Sequence, residues 1–329
     1  MITLDTITEA ASRLKGHHVV TPLLEYEQLN QRLGGRILFK PENLQRTGSF
    51  KFRGAFNKIA SLDESVRRRG VVTFSSGNHA QGVAAAAKAF GVPATIVMPE
   101  DAPALKRENT RALGGKVVLY DRHTGDRKAI AEQIERETGA VMVPPYDDEM
   151  IMAGQGTIGL EVAEQLSTLG VKADVLLCPV GGGGLIAGIS TAIRALMPDT
   201  AVYCVEPEGF DDTRISLERG TRTANKPDAR SICDAIVTQM PGEITFPVNL
   251  ANLAGGLSVT DADVIAAVDV LFEATKLVVE PGGSVGFAAL NSGRLTLDGR
   301  TAVVVLSGGN MDVAAFRNRF GTDSREKTA

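Results

Sequence analysis

Short apolar segments rich in β-branched residues alternate with longer amphipathic segments over most of the chain. In the first series the strand-like runs cover residues 71–74, 95–98, 116–120 and 141–143. The segments between them carry apolar residues at helical spacing, over residues 80–90, 102–113 and 126–138. A second series has strand-like runs at 175–179, 201–206 and 301–306, and helical segments at 185–197, 261–275 and 284–291. Strands that alternate with helices predict an α/β fold in which parallel sheets are covered by helices.

Two series of this kind, in a chain of 329 residues, predict two lobes rather than one small domain. The first series ends at Tyr146-Asp147-Asp148, where we place a lobe boundary. We expect a large lobe made of residues 1–70 and 149–329, with a small lobe of residues 71–148 inserted in it. Each lobe is expected to hold a mostly parallel, twisted sheet flanked by helices.

Two helix starts are predicted before the first series. Thr6 and Glu9 have the spacing of a capping box, and the helix that follows has an apolar face that includes Ile7. Ser49 is expected to cap a second helix within the segment 47–55, whose sequence is Thr-Gly-Ser-Phe-Lys-Phe-Arg-Gly-Ala.

Lys51 lies in the first turn of that second helix, between Phe50 and Phe52. Apolar rings and the positive end of a helix dipole both disfavour the ammonium form and lower the pKa of a lysine. A neutral amine is a nucleophile, so this segment is a candidate for covalent catalysis. The alternative is a surface lysine whose stem packs on the rings, since most lysines are solvated.

Three further segments with unusual composition follow predicted strands, which is where ligands bind in open parallel sheets. Residues 75–79, Ser-Ser-Gly-Asn-His, combine hydroxyls and an amide with the free N–H groups of a helix start. Residues 181–184 are four glycines whose N–H groups can surround a phosphate at a helix N-terminus. Residues 307–310, Ser-Gly-Gly-Asn, place a hydroxyl at a strand end. Each segment has a structural alternative, either a helix cap or a close turn.

The glycine segment also fits a second chemistry. Gly182, Gly184 and Ala187 have the spacing of the dinucleotide fingerprint, and Glu206 ends the next predicted strand. An NAD-dependent oxidoreductase is therefore an alternative interpretation. One phosphate site, one amine between rings and one neutral hydroxyl instead suit a small phosphorylated aldehyde, and they do not explain a dinucleotide.

Composition and charge exclude several other classes. A net charge of −4 provides no basic field for nucleic acid or for an anionic membrane surface. Cys178, Cys204 and Cys233 are sparse and odd in number, which predicts reduced thiols rather than a disulfide framework. The N-terminus has no charged segment followed by an apolar one, and no apolar run approaches membrane-spanning length. We therefore expect a cytoplasmic protein that binds neither nucleic acid nor membrane.

Taken together, these segments resemble the fold-type II pyridoxal-phosphate enzymes, specifically the serine/threonine dehydratase and serine racemase group. The resemblance is carried by residues 40–45, Lys-Pro-Glu-Asn-Leu-Gln, and by the segments 47–55, 75–79, 181–184 and 307–310. It covers nearly the whole chain. The combination of segments is specific, although each one alone is weak.

The resemblance implies a role for each matching residue at the cofactor. Lys51 would form the Schiff base with pyridoxal phosphate and would act as the base that removes the substrate Cα proton. Phe50 would pack against the pyridine ring, and Asn78 would hydrogen-bond the ring hydroxyl. Gly181, Gly182, Gly183 and Gly184 would bind the phosphate. Ser307 would meet the ring nitrogen without holding it protonated, which favours β-elimination.

The same resemblance implies a substrate site and a metal site. The substrate-binding residues would be Ser75, Ser76, Asn78, His79 and Arg127. Ser76 also matches the second acid/base of a racemase, on the face of Cα opposite Lys51. Glu206, the carbonyl of Phe210, and Asp212 match a divalent cation site, whose oxygen donors suit Mg²⁺ or Ca²⁺. The alternative for these acids is a solvated acidic loop.

The expected activity is the dehydration and deamination of a 3-hydroxy amino acid, such as L-threonine or L-serine, to a 2-oxo acid and ammonia. Dehydration of 3-hydroxyaspartate and racemisation of serine are alternatives within the same cofactor class. The resemblance also implies a homodimer.

Overall fold

The computed structural model describes residues 1–102, 104–122 and 124–311. The strands in these ranges are β1 (Leu24–Glu25), β2 (Arg36–Pro41), β3 (Val71–Phe74), β4 (Ala94–Pro99), β5 (Gly115–Tyr120), β6 (Val141–Met142), β7 (Val175–Pro179), β8 (Ala201–Pro207), β9 (Gly255–Val259) and β10 (Thr301–Leu306). Every predicted strand of the two series is present, with ends that shift by at most one residue.

Helices connect most of these strands. They are α1 (Leu4–Leu14), α2 (Glu27–Leu33), α3 (Lys51–Ala60), α4 (Glu64–Arg67), α5 (Asn78–Phe90), α6 (Ala104–Ala112), α7 (Arg127–Thr138), α8 (Glu149–Leu169), α9 (Gly184–Leu196), α10 (Asp212–Arg219), α11 (Thr245–Asn252), α12 (Asp261–Thr275) and α13 (Pro281–Asn291). Among the described helices, none combines the length and the apolar character needed to cross a bilayer.

The strands form two separate sheets. The larger has the order β1-β2-β10-β7-β8-β9, and the smaller has the order β5-β4-β3-β6. Only the short pair of β1 with β2 is antiparallel, and the other strand pairs are parallel. The predicted α/β fold with mostly parallel sheets is therefore confirmed. All four strands of the smaller sheet fall inside the segment 71–148, and the exact limits of the two lobes stay a prediction.

The larger sheet is covered on both faces, which explains why its central strands are continuous apolar runs. Successive side chains of β2 alternate between two clusters, since strand residues point to opposite faces. Ile37 and Phe39 pack in the cluster that includes α12 and α13. Leu38 packs in the cluster that includes α8 and α9. The strand ends that carry polar segments are thus held by a rigid, two-sided core.

Helix α3 links the larger sheet to the smaller lobe. Phe52, Phe56 and Ile59 pack in the same cluster as Val83 of α5 and the strands of the smaller sheet. The two helices approach so closely that a Cβ on Gly82 would lie 3.0 Å from the backbone carbonyl carbon of Lys51. The start of α3 is therefore fixed from the small-lobe side.

Two predicted helix caps are wrong. The capping box of α1 is formed by Thr3 and Thr6, three residues before the predicted pair. At α3 the N-cap residue is Phe50, with no side-chain cap. The hydroxyl of Ser49 is buried without a partner, and the backbone of Ser49 forms an antiparallel bridge with Gly308. In both cases the chain enters the helix at a point that the local sequence did not indicate.

Candidate active site

A cavity of about 190 Å³ is lined by the segments that follow β3, β7 and β10, together with the start of α3. All the residues predicted for the cofactor and the substrate line it, namely Phe50, Lys51, Ser75, Ser76, Asn78, His79, Arg127, Gly181, Gly182, Gly183, Gly184 and Ser307. These residues come from segments far apart in the chain. The fold brings them together, and their individual roles stay predictions.

Two hydrogen bonds place Lys51 at the cavity, one from the backbone of the preceding residue and one from its own amine. The N–H of Phe50 donates to the carbonyl of Ser307 at 3.2 Å, which ties the start of α3 to the end of β10. The Lys51 Nζ donates to the carbonyl oxygen of Pro145 at 2.7 Å and lies 5.0 Å from the centre of the Phe50 ring. Burial lowers the pKa of Lys51 to about 8, against an opposing effect of the Glu280 carboxylate. The predicted lowering is therefore present, with burial as its main cause.

The four-glycine turn leads from β7 into α9. Gly183 has φ +89°, which favours glycine, and a Cβ there would lie 2.6 Å from Asn249. A Cβ on Gly182 would overlap the ring of Tyr146. Thr245 Oγ1 donates to the Gly182 carbonyl at 2.7 Å and so fixes the turn.

The same turn combines close packing with N–H groups that are left unpaired. Within the described residues, no protein acceptor pairs with the N–H groups of Gly181 to Gly184. Helix N-termini with unpaired N–H groups bind phosphate well. The turn therefore fits the phosphate of pyridoxal phosphate.

The segment after β3 forms the wall of the cavity at the start of α5. The N–H of Gly77 donates to the Ser75 hydroxyl at 3.2 Å. His79 is buried, and its Nε2 lies 2.9 Å from the carbonyl oxygen of Val143. Burial lowers the pKa of His79 to about 3, so the ring is neutral and Nε2 must carry the proton that it donates. His79 is thus anchored to the backbone, and its Nδ1 is left without a partner.

Sequence reasoning gave no role to four ionisable residues that line the same cavity, Lys106, Tyr146, Asp234 and Glu280. Lys106 of α6 pairs with Asp234 at 2.9 Å, which connects the two lobes. Glu280 is buried and accepts a hydrogen bond from Asn78 at 2.6 Å. The only local signal for Glu280 is its place before Pro281, at the start of a helix.

Glu206 and Asp212 lie apart from the cavity, near the start of α10. The two Glu206 oxygens accept the N–H groups of Thr213 and Arg214 at 3.0 and 2.8 Å. Asp212 Oδ1 accepts from Asn225 at 2.6 Å, whereas its Oδ2 is buried without a partner. Burial raises the pKa of Asp212 to about 7 and that of Glu206 well above its usual range.

These acids are buried, contrary to the alternative of a solvated loop. The described residues hold no cluster of three or more metal-ligating His, Cys, Asp or Glu side chains. Of the four carboxylate oxygens of Glu206 and Asp212, Asp212 Oδ2 is left without a hydrogen-bond partner. Oxygen donors of this kind suit a hard divalent cation.

Comparison with known proteins assigns the family. The model of a family described as pyridoxal-phosphate dependent enzyme matches residues 14–308. The L-threo-3-hydroxyaspartate ammonia-lyase of Saccharomyces cerevisiae is 42% identical over 95% of this chain and 95% of its own length. The L-threonine ammonia-lyase of Thermotoga maritima is 44% identical over 95% of this chain and 77% of its own.

A solved structure agrees with these relatives. Maize serine racemase superposes with a TM-score of 0.91 at 34% identity, over 97% of this chain and 96% of that one. The glycine turn therefore belongs to a pyridoxal-phosphate family and not to a dinucleotide-binding one. The chain is a member of the fold-type II pyridoxal-phosphate-dependent enzymes, in the group of the serine/threonine dehydratases and serine racemases.

Proposed function

We propose that this protein catalyses the pyridoxal-phosphate-dependent β-elimination of a 3-hydroxy amino acid such as L-threonine or L-serine, releasing a 2-oxo acid and ammonia. One observation carries the proposal. The Lys51 amine, whose pKa is lowered, shares a cavity with a glycine turn whose N–H groups have no acceptor among the described residues. The names of the relatives, ammonia-lyases and a serine racemase, support the same reaction type.

The residues of the cavity suit each part of the cofactor. When bound, pyridoxal phosphate supplies an aldehyde for covalent attachment and an electron-withdrawing ring next to Cα. Lys51 would hold the aldehyde carbon, and the Phe50 ring would pack beside the cofactor ring. The glycine turn would hold the phosphate. Asn78 would hydrogen-bond the ring hydroxyl, and Ser307 would hydrogen-bond the ring nitrogen.

The chain's own groups would handle the substrate and its proton. The start of α5, with Ser75 and Ser76, offers N–H and hydroxyl donors to the substrate carboxylate. Lys51 Nζ, neutral in a large fraction near its pKa of about 8, would take the Cα proton. Ser307 would offer the ring nitrogen a neutral hydroxyl, which would leave the ring a weaker electron acceptor and would favour loss of the β-hydroxyl.

The test combines turnover with chemical mapping. Purified protein loaded with pyridoxal phosphate should release ammonia and a 2-oxo acid from L-threonine or L-serine. Reduction with borohydride, followed by mass analysis of peptides, should place the cofactor on Lys51 and not on exposed Lys88. Modification elsewhere, or no oxo acid from any 3-hydroxy amino acid, would contradict the proposal.

A dicarboxylate substrate, 3-hydroxyaspartate, is favoured by a specific observation. Arg127 and Lys106 both line the cavity, and no described carboxylate pairs with the Arg127 guanidinium, which lies over the Phe74 ring at 5.6 Å. A cation of this kind can hold a second carboxylate. Oxo-acid release from threonine, serine and the 3-hydroxyaspartate isomers, compared between wild type and Arg127→Met, decides between the substrates. If Arg127→Met loses oxo-acid release from 3-hydroxyaspartate and keeps it with threonine and serine, the dicarboxylate substrate is supported.

Racemisation of serine is the third candidate, because Ser76 and Lys51 line the same cavity and could act on opposite faces of Cα. Chiral analysis of serine recovered from the reaction separates racemisation from elimination. A Ser76→Ala variant should lose racemisation and keep elimination.

We also propose a Mg²⁺ or Ca²⁺ ion held by Glu206, the Phe210 carbonyl and Asp212, supported by the unpartnered Asp212 oxygen. A chelator should lower the thermal stability of the wild type and should have no effect on Asp212→Asn, which tests the metal site.

The homodimer is proposed from the resemblance, and the cytoplasmic location is proposed from the sequence. Light scattering of the purified protein and microscopy of a tagged copy test these two proposals.

A further inference from the structure

A chain of hydrogen bonds fixes the orientation of the Asn78 amide. Asn310 Nδ2 donates to the backbone carbonyl of Thr47 at 2.7 Å and to Asn78 Oδ1 at 2.7 Å. A backbone carbonyl can only accept, so the amide nitrogen of Asn310 must face it. Asn78 must then present its oxygen to Asn310 and its nitrogen to the other side.

Glu280 receives that nitrogen. Asn78 Nδ2 donates to Glu280 Oε1 at 2.6 Å. The second N–H of the same amide has no acceptor among the described residues. The relay Thr47–Asn310–Asn78–Glu280 therefore uses one N–H of Asn78 and leaves the other one for a ligand in the cavity.

The backbone around Glu280 is shaped to hold its carboxylate. Glu280 is 4% exposed, and its N–H donates to the carbonyl of Gly308 at 3.1 Å. A Cβ on Gly308 would overlap Glu280 Oε1, so a larger residue at position 308 would displace the carboxylate from its present place. Glycine at position 308 therefore keeps Glu280 in reach of Asn78.

The charged groups that act on Glu280 are few. They are Lys51 and Lys106, which favour its ionised form, and Asp234, which opposes it. Lys106 is already paired with Asp234. Burial raises the pKa of Glu280 to about 7. Lys51 and Glu280 line the same cavity, and the charge of each favours the ionised form of the other, so that Glu280 raises the pKa of Lys51.

We propose that Glu280 is a positioning residue of this active site. It fixes the Asn78 amide so that one N–H stays free for the ring hydroxyl, and it provides the negative charge that stabilises the Lys51 ammonium once Nζ has taken the Cα proton. This role rests on the proposed lyase function. It adds a residue that acts through Asn78 and Lys51 and touches neither substrate carboxylate nor phosphate.

The test compares the holoenzymes of wild type, Glu280→Gln and Asn310→Ala, with Glu273→Gln as the matched control, since Glu273 is an exposed acid on α12. Glu280→Gln should lower kcat by about 10- to 100-fold, the range for residues that orient a directly acting group, with KM changed far less. The apparent pKa of the base in the pH profile of kcat should move down, because the carboxylate that raises it is gone. Asn310→Ala should speed the loss of pyridoxal phosphate on dialysis and leave that pKa in place.

A purely structural role predicts a different pattern. Glu280→Gln would then lower the urea midpoint together with activity, with no shift in the pH profile, and that result overturns the proposal. A kcat within twofold of the Glu273→Gln control, in an active wild type, overturns it as well. If the wild type binds no pyridoxal phosphate and releases no oxo acid, the proposed function fails first and the role of Glu280 fails with it.

Discussion

Helix α3 carries two cationic side chains two residues apart, Lys51 and Arg53, and their surroundings are opposite. Arg53 is fully buried and donates to Glu42 from Nε and Nη2, both at 2.8 Å, and to Glu161 from Nη1 at 2.6 Å. Within the part of the chain that the structure describes, the Lys51 amine has one acceptor, the backbone carbonyl of Pro145. The carboxylates hold the pKa of Arg53 above its usual range against the effect of burial, whereas burial prevails at Lys51.

The difference shows how one helix serves both structure and chemistry. A buried charge that has carboxylate partners is locked in its ionised form and fixes the elements that supply those partners. Glu42 follows β2 and Glu161 lies on α8, so Arg53 ties α3 to both. A buried amine without a carboxylate in hydrogen-bond reach can lose its proton at moderate pH, which a nucleophile or base requires.

The largest effect on activity is expected when Lys51 is removed. Lys51→Ala should lower turnover by a factor on the order of 10⁴ or more, because the attachment point and the base are the same group. The urea midpoint of the cofactor-free chain should not fall, since Lys51 makes no hydrogen bond to a described carboxylate and burial already disfavours its charge. Ammonia release and equilibrium unfolding measure the two effects, with Lys88→Ala as the control. Turnover within tenfold of wild type would show that another base does the work.

Removing Arg53 should instead lower the stability of the fold. Arg53→Leu leaves Glu42 and Glu161 buried with fewer partners and should cost about 3–5 kcal/mol of unfolding free energy. Urea unfolding measures this, with exposed Arg219→Leu as the control. A loss below about 1 kcal/mol would mean that the network is relaxed by water and is not a structural anchor.

The titration of Lys51 in the cofactor-free chain tests whether its pKa is lowered. The pKa of about 8 for folded Lys51 lies below the ordinary value of 10.5. At pH 7.5 the neutral fraction is then about 200 times that of an ordinary lysine. Competitive acylation with mass readout should therefore label Lys51 with a midpoint near pH 8, and a midpoint near 10.5 would contradict its burial.

The same shift predicts a stability slope. Between about pH 8 and 10.5 the unfolded chain holds more protons on residue 51 than the folded chain, so the unfolding free energy should rise with pH, by about 3 kcal/mol in total. Below pH 8 this group contributes no slope. Lys51→Met should remove the rise, and unfolding curves of both proteins at several pH values measure the difference.

The smallest expected effect lies at the edge of the Arg53 network. His18 Nε2 lies 2.9 Å from Glu161 Oε1, while Lys40 and Arg53 also bind this carboxylate. His18→Leu should therefore cost only about 1 kcal/mol of stability and leave kcat unchanged. A large loss of kcat in a stable variant would show that the network reaches the Lys51 site.

Local patterns were enough for the strands of the two predicted series and for the choice of candidate segments, whose chemical roles stay predictions. The alternation of strand-like and helical runs predicted the α/β fold, because burial on one or two faces leaves a periodic signal in the sequence. The segments at strand ends were found because parallel sheets place ligands there. Helix α8 was not predicted, since a helix buried on most sides has no amphipathic pattern to detect.

The partners of buried groups were beyond reach of the sequence. Lys51 and Arg53 are two residues apart in the chain, yet their partners differ. The fold places two carboxylates, of Glu42 and Glu161, beside Arg53, and a backbone carbonyl beside Lys51. Glu280 and Tyr146 entered the cavity in the same way, from segments with no motif of their own. The sequence by itself determined which groups could do chemistry and in which loops. The tertiary structure decided which of them are buried and what faces them, because pKa and hydrogen-bond partners depend on contacts between residues far apart in the chain.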